Sequence, residues 1–228
     1  MNPSKNLPDP VSKEITNPKT PRHHKLFYGS SYDRGLEHLL PMWPKIREQY
    51  PDAELHIFYG WDFYDAAYQN NPERLAWKHR MNDDMNQPGI VHHGRVSKEE
   101  LKKWQQICGI WAYPTHFGET CCITGLDCQY HGCVPCVVNY AALKETVQAG
   151  VKVEGDIYDQ ETKDAYLEAL LELMGDEEHW QAEQQKGMKF AKQWSWDDVA
   201  ARWLGEMEVV EYAKGSGIPA QEKEEVKA

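Results

Sequence analysis

The stretch "HFGETCCITGLDCQYHGCVPCVVN", residues 116 to 139, decides how the chain is read. Glu119 ends a glycine turn, Asp127 follows on what reads as a helix over 121 to 131, and Gly132 closes that helix before the apolar run at 134 to 139. A helix delivered through a glycine into a short β-rich run is one step of a βαβ alternation. The same step recurs on both sides. Short runs at 25 to 31, 54 to 60, 89 to 94, 109 to 115, 134 to 139 and 150 to 155 are each bounded by Gly, Pro or Asn. Helical patterns fill the intervals, over 35 to 50, 62 to 86 in two pieces, 97 to 107, 140 to 148, 160 to 174, 176 to 193 and 196 to 208. Ser97 with Glu100, and Ser195 with the acids that follow it, supply helix-start signals, whereas Pro41 and Pro44 must interrupt the first long helix. The alternation predicts an α/β fold: a parallel sheet of about six strands covered on both faces by helices.

Size and composition narrow the function. The chain has 228 residues, enough for one well-buried domain, predicted over 23–213, between a linker at 1–22 and a disordered tail at 214–228. A formal net charge of -11 disfavours nucleic acid and anionic lipid as partners, although helix N-termini and a few arginines can still hold a phosphate locally. The hydrophobic fraction of 41% contains no run long enough for a membrane span. The first residues lack an apolar signal-peptide core, so the six cysteines are expected to be thiols in a reducing cytoplasm.

In open parallel sheets, ligands bind where strand carboxyl ends run into helix N-termini, here at 29–35, 60–62, 94–97, 115–122 and 139–142. Gly29, Ser30 and Ser31 would let backbone amides approach a phosphate, with Arg34 at the helix start; the same residues also make an ordinary capped turn. Gly94 and Arg95 precede a capped helix, where a base, a phosphate or only water could lie against them. In the third loop the amides of Thr120, Cys121, Cys122 and Ile123 would favour an anion. Glu119 and Asp127 would stand about 12 Å apart along a fully helical span. That is too far for one metal or one acid/base pair, yet it suits two hydroxyl-rich groups flanking a diphosphate; two surface acids give the same spacing. Cys133 and Cys136 form a CxxC near His116 and His131, but no second pair completes a zinc set, and Cys136 lies in an apolar run. The tryptophans at 194, 196 and 203 fall at core-like spacings, which predicts packing.

Three segments in order, "SSYDRGLEHLLPMWPKIREQYPDAELHIFYG", "GIVHHGRVSKEELKKWQQICGIWAYPT" and "HFGETCCITGLDCQYHGCVPCVVNYAALKETV", resemble the C-terminal, donor-binding domain of a GT-B glycosyltransferase of retaining family 4, from about Lys25 to Met207. The resemblance implies a Rossmann-like three-layer sandwich, one half of a GT-B fold. It assigns Arg34 to the donor diphosphate, with Ser30 and Ser31 where a further family arginine often stands. Glu119, in the loop with Phe117 and Gly118, matches the acid that holds donor-sugar hydroxyls. The amides around Cys121 to Ile123 face sugar and phosphate, Asp127 takes the ribose hydroxyls, and Gly94 and Arg95 wall the base. Two departures stand out: Asp127 replaces the usual glutamate, and Thr120, Cys121 and Cys122 replace a glycine-rich loop.

The function implied is binding of a nucleotide-diphosphate sugar for retaining, metal-independent hexosyl transfer, with Arg34 and Glu119 as the catalytic residues and no cofactor beyond the donor. An acceptor-binding domain or partner chain would complete the enzyme. The alternatives are a non-catalytic nucleotide-sugar-binding subunit and, more remotely, a metal-stabilised interaction domain.

Overall fold

A computed structural model describes residue 17 and residues 19–216, the stretch 208–216 by backbone alone. Six strands form one sheet: β1 (Lys25–Tyr28), β2 (Glu54–Phe58), β3 (Ile90–Gly94), β4 (Ile110–Tyr113), β5 (Val134–Val138) and β6 (Val151–Val153). Their order is β3-β2-β1-β4-β5-β6, and every neighbouring pair is parallel. Each strand falls inside a run expected from the sequence. Strands β1, β2, β4 and β5 are buried along their whole length, as their near-continuous apolar composition requires of a sheet covered on both faces. The covering helices are α1 (Leu36–Leu39), α2 (Trp43–Gln49), α3 (Asp62–Tyr68), α4 (Pro72–Met85), α5 (Lys98–Ile107), α6 (Ile123–Tyr130), α7 (Leu143–Thr146), α8 (Gln160–Gly175) and α9 (Glu177–Ala191).

Local chemistry sets the helix boundaries. The two prolines break the first helix into α1, a 3-10 turn over Leu40–Met42, and α2, with a proline in the first turn of each of the latter two. Asn71 divides α3 from α4 by accepting the amides of Glu73 and Arg74. Ser97 caps α5 through the Glu100 amide. The core places Trp43, Trp104 and Trp111 in full burial. Trp43 donates its indole N–H to the Pro88 carbonyl, and Trp180 of α9 donates to Gly109. Gly125 lets α6 lie against Trp111, whose ring carbons stand 3.1 and 3.3 Å from where a Cβ would be.

Three expectations need correction. The ordered fold begins before Lys25, inside the stretch read as a linker: the Asn17 amide donates to Glu54, buried Thr20 donates to the Asp52 carbonyl, and Arg22 donates to the carbonyls of Gln105, Cys108 and His131. The segment turns, with the Thr20 amide on the Asn17 carbonyl, into a 3-10 helix over Arg22–His24, and its polar groups dock it. Secondly, the region expected as one domain over 23–213 divides after Ala191 into two compact units. The second unit contains a 3-10 turn over Lys192–Trp194 and α10 (Trp196–Ser216), which runs past the expected end at 208 and into the stretch read as a tail. The remainder of that tail lies outside the described residues. Thirdly, Trp196 is 79% exposed and Trp203 66%, so these two rings do not pack as their spacing predicts, whereas Trp194 carries the Arg202 guanidinium over its ring at 5.4 Å.

A buried aromatic and histidine cluster makes the fold sensitive to acid. His93 stacks on Phe58 with ring centroids 4.4 Å apart, and His56 bridges His93 and Glu54. Burial, reinforced by His56 and His92, pulls His93 down to about 4 from 6.5. The unfolded chain therefore takes up the proton more readily between these two values, so the stabilisation is complete above about pH 6.5 and is lost as pH falls towards 4. Urea unfolding midpoints are expected to decline across that window, and less steeply in His93→Gln, which keeps a polar partner for His56; identical profiles would contradict this.

Candidate functional site

In strand order β3-β2-β1-β4-β5-β6 the sheet is built outward in one direction from β1 and in the other from β4, so the loops leaving these two central strands border a crevice at the carboxyl edge. After β1, the loop folds through Ser31 into a 3-10 turn over Tyr32–Arg34. Tyr28 donates its hydroxyl to the Ser31 carbonyl at 2.8 Å, and Ser31 donates its own to Asp33 at 2.6 Å. Gly35 then turns the chain into α1 at φ +126°, with the Pro114 carbonyl oxygen 2.5 Å from where a Cβ would stand. Only glycine fits there, and the close approach clamps the β1 loop onto the β4 loop.

The two loops meet in a polar cluster. Arg34 reaches Glu119 at 3.4 Å and lays its guanidinium over the Phe117 ring, 3.8 Å from the centroid. Tyr113, at the end of β4, donates its hydroxyl to Glu119 at 3.2 Å and lies 3.4 Å from the Ser30 hydroxyl. Burial raises the Tyr113 phenol well above its ordinary value, so it remains a donor at neutral pH. The Glu119 carbonyl in turn accepts the Ala142 amide, joining the 139–142 loop to the same group. Ser30, Ser31, Arg34, Phe117, Gly118 and Glu119 are thus brought together as the sequence expects. Tyr113 was missed, because within a strand an aromatic residue reads as core.

The amide platform differs from expectation. Helix α6 starts at Ile123 instead of 121, with Cys122 as N-cap, so the 12 Å spacing for a fully helical span does not hold. The Ile123 amide turns back onto the Cys121 carbonyl, leaving those of Thr120, Cys121 and Cys122 without a backbone acceptor among the described residues. Burial pushes the Cys122 thiol up to about 12, so it packs and does not react. Asp127 sits half-buried on α6; burial raises its carboxyl, while His131, Lys102 and Lys98 oppose that rise.

Beside Gly29 lies a recess of about 230 Å³, lined by Phe58, Tyr59, Phe63, Arg95, Val96 and Lys98 among others. Arg95 covers the Phe63 ring at 4.7 Å. Tyr59 adopts φ +120°, a strained conformation for a residue with a side chain, and donates its amide to the Gly94 carbonyl. The sequence points to Gly94 and Arg95 here but not to Tyr59 or Phe63. Cys133 and Cys136 are fully buried thiols within the core, and His131 Nδ1 lies 2.8 Å from the Asp127 carbonyl, so they do not converge on a zinc set.

The sequence pattern described as "Glycosyl transferases group 1" matches residues 13–192. The chain belongs to the group 1 glycosyltransferase family. No curated protein matches the sequence. Among solved structures, the family fold is shared with the pneumococcal O-GlcNAc transferase GtfA, in complex with UDP and GlcNAc, at TM-score 0.66 and 12% identity over 86% of this chain and 37% of that one. It is shared with α,α-trehalose 6-phosphate synthase from Burkholderia multivorans at TM-score 0.62 and 14% identity, over 88% and 45%. It is shared also with Anabaena HepE, in complex with UDP and glucose, at TM-score 0.61 and 12% identity, over 83% and 49%. The chain thus spans less than half the length of each of these proteins. No helix among the described residues is long and apolar enough to cross a membrane.

The Arg34–Glu119 pair is long and partly open to water, which limits what it adds to stability. A double-mutant cycle of Arg34→Ala and Glu119→Ala in urea is expected to give a coupling below about 1 kcal/mol. Gly35→Ala is expected to cost about 1–3 kcal/mol because of its backbone conformation alone. A coupling well above that bound, or a neutral Gly35→Ala, would contradict the geometry.

Proposed function

We propose that this chain binds a nucleotide-diphosphate sugar across the carboxyl edge of its sheet and takes part in retaining glycosyl transfer. The observation that carries the reading is the meeting of Arg34, Tyr113 and Glu119 at the β1/β4 crevice, beside three amides with no backbone acceptor. The diphosphate would rest on the amides of Thr120 to Cys122, with Arg34 swinging from its long contact with Glu119 onto the phosphate oxygens. Glu119, held by Tyr113, would accept sugar hydroxyls, and Asp127 those of the ribose. The base would enter the recess against Tyr59, Phe63 and Arg95. Arg34 and the amides then offset the charge that grows on the departing phosphate, which asks for no metal at that position. UDP in the structures of GtfA and HepE supports a nucleotide donor, and the GtfA/B complex supports completion by a second domain or chain that binds the acceptor.

Calorimetry with UDP, uridine and UDP-glucose tests this. Arg34→Ala is expected to weaken UDP at least tenfold while leaving uridine within about twofold, a separation that one lost charge-assisted contact produces. Added Mg²⁺ should leave the affinity unchanged. In an assembled enzyme, Arg34→Ala and Glu119→Ala should each abolish transfer. Equal losses for UDP and uridine would remove Arg34 from the diphosphate, and donor binding without transfer in any assembly would leave a binding subunit.

A further inference from the structure

Next to Gly35 in sequence, and at the start of the β4 loop, stand residues that the donor reading does not use. Glu37 and His38 come from α1, and His116 begins the loop that carries Glu119. One ligand atom from each lies within 4.8 Å of the other two. The same three residues contribute Glu37 Oε2, His38 Nε2 and His116 Nδ1 to the seven buried side-chain atoms without a hydrogen-bond partner among the described residues. Buried polar atoms are almost always partnered, so three orphans in one cluster mark the place of something that binds them all. His38 is only 7% exposed, which makes its unpartnered nitrogen an interior group and not a surface one.

The shape of the cluster fits a cation. The His38 and His116 rings stand perpendicular, 85° apart with centroids separated by 5.6 Å, so two imidazole edges can converge on one point. The Tyr158 ring packs on both, at 4.9 and 5.0 Å, and covers the pair from solvent. Two imidazoles and one carboxylate form a ligand set suited to zinc and its neighbours, with a coordination position left over. Bonds of about 2.1 Å need donor atoms roughly 3.4 Å apart in a tetrahedral site, so side-chain shifts of about 1 Å close the cluster.

We propose that Glu37, His38 and His116 together bind one divalent transition-metal ion of the zinc class, which ties the first turn of α1 to the loop carrying Glu119. The ion is structural. None of its three ligands is a group assigned to the donor, it takes no part in transfer, and metal binding itself does not depend on the donor reading. This site is distinct from the Cys133 and Cys136 thiols, which stay in the core.

The test uses the full, untagged chain, stripped with a chelator and titrated with Co²⁺ as a visible substitute for zinc. One equivalent should produce the absorption bands of a low-coordinate nitrogen and oxygen site, displaced by one equivalent of Zn²⁺, and either ion should raise the thermal midpoint. His38→Gln and His116→Gln should each lose at least tenfold in affinity and Glu37→Gln should bind more weakly, while His131→Gln and Cys133→Ser match the parent. Circular dichroism reports folding of each variant; if His38→Gln fails to fold, the loop variant His116→Gln decides. Absence of the bands, or binding that survives His116→Gln unchanged, overturns the proposal and leaves a water molecule among the three groups. UDP affinity is measured separately, so failure of the donor reading shows as lost UDP binding with the cobalt bands intact.

Discussion

The constraint on which everything else rests is the parallel sheet with its reversal at β1 and β4. Parallel strands cannot be joined by tight hairpins, so each carboxyl end must lead into a crossover, and all such ends collect on one edge. At the reversal the neighbouring crossovers part, and the space between them is the one place where backbone amides and side chains from several loops can face a common ligand. Arg34 follows β1, Glu119 follows β4, and Ala142 follows β5. Their convergence is a property of the topology before it is a property of the residues.

Packing then fixes that convergence to a useful tolerance. The fully buried Trp111 lies under Gly125, seating α6 against the sheet, and its neighbour Tyr113 stacks on it with centroids 4.9 Å apart before reaching Glu119 with its hydroxyl. Thus the group that orients the loop acid is anchored in the core. Gly35 does the corresponding work between loops, because its missing Cβ is what lets α1 approach Pro114. Rigid support behind and polar, half-open groups in front is an arrangement that binds a charged ligand without reorganising the sheet. The same approach brings α1 close enough for Glu37 and His38 to meet His116.

Much of this was legible in the sequence, and the physical reasons are specific. All six strands fall where short β-rich runs end in Gly, Pro or Asn; for the four central strands burial on both faces leaves little freedom in composition, and the half-exposed edge strands β3 and β6 were marked by their bounding turns. Glu119, Arg34, Gly94 and Arg95 could be placed at the carboxyl-end loops because those loops could be counted off in order. Tyr113 was hidden because a buried strand admits an aromatic ring for packing alone, and only the fold shows its hydroxyl emerging at the edge. Arg22 was hidden by its prolines: a proline-rich stretch without apolar periodicity reads as unstructured until its side chain finds three carbonyls. The exposed tryptophans of the second unit erred the other way. Periodicity identifies a helix face that favours burial, and it does not say whether the chain itself supplies the cover. The His38 and His116 pair joins residues distant in sequence, so no spacing rule could have assembled it.

The most direct measurement of the central claim is a crystal structure of the chain with UDP bound. The account predicts the diphosphate between the β1 and β4 loops, within hydrogen-bonding distance of the Thr120 to Cys122 amides and of Arg34, with Asp127 on the ribose hydroxyls. A nucleotide bound elsewhere on the surface, or one in the crevice with Arg34 still on Glu119 and those amides facing water, would contradict it.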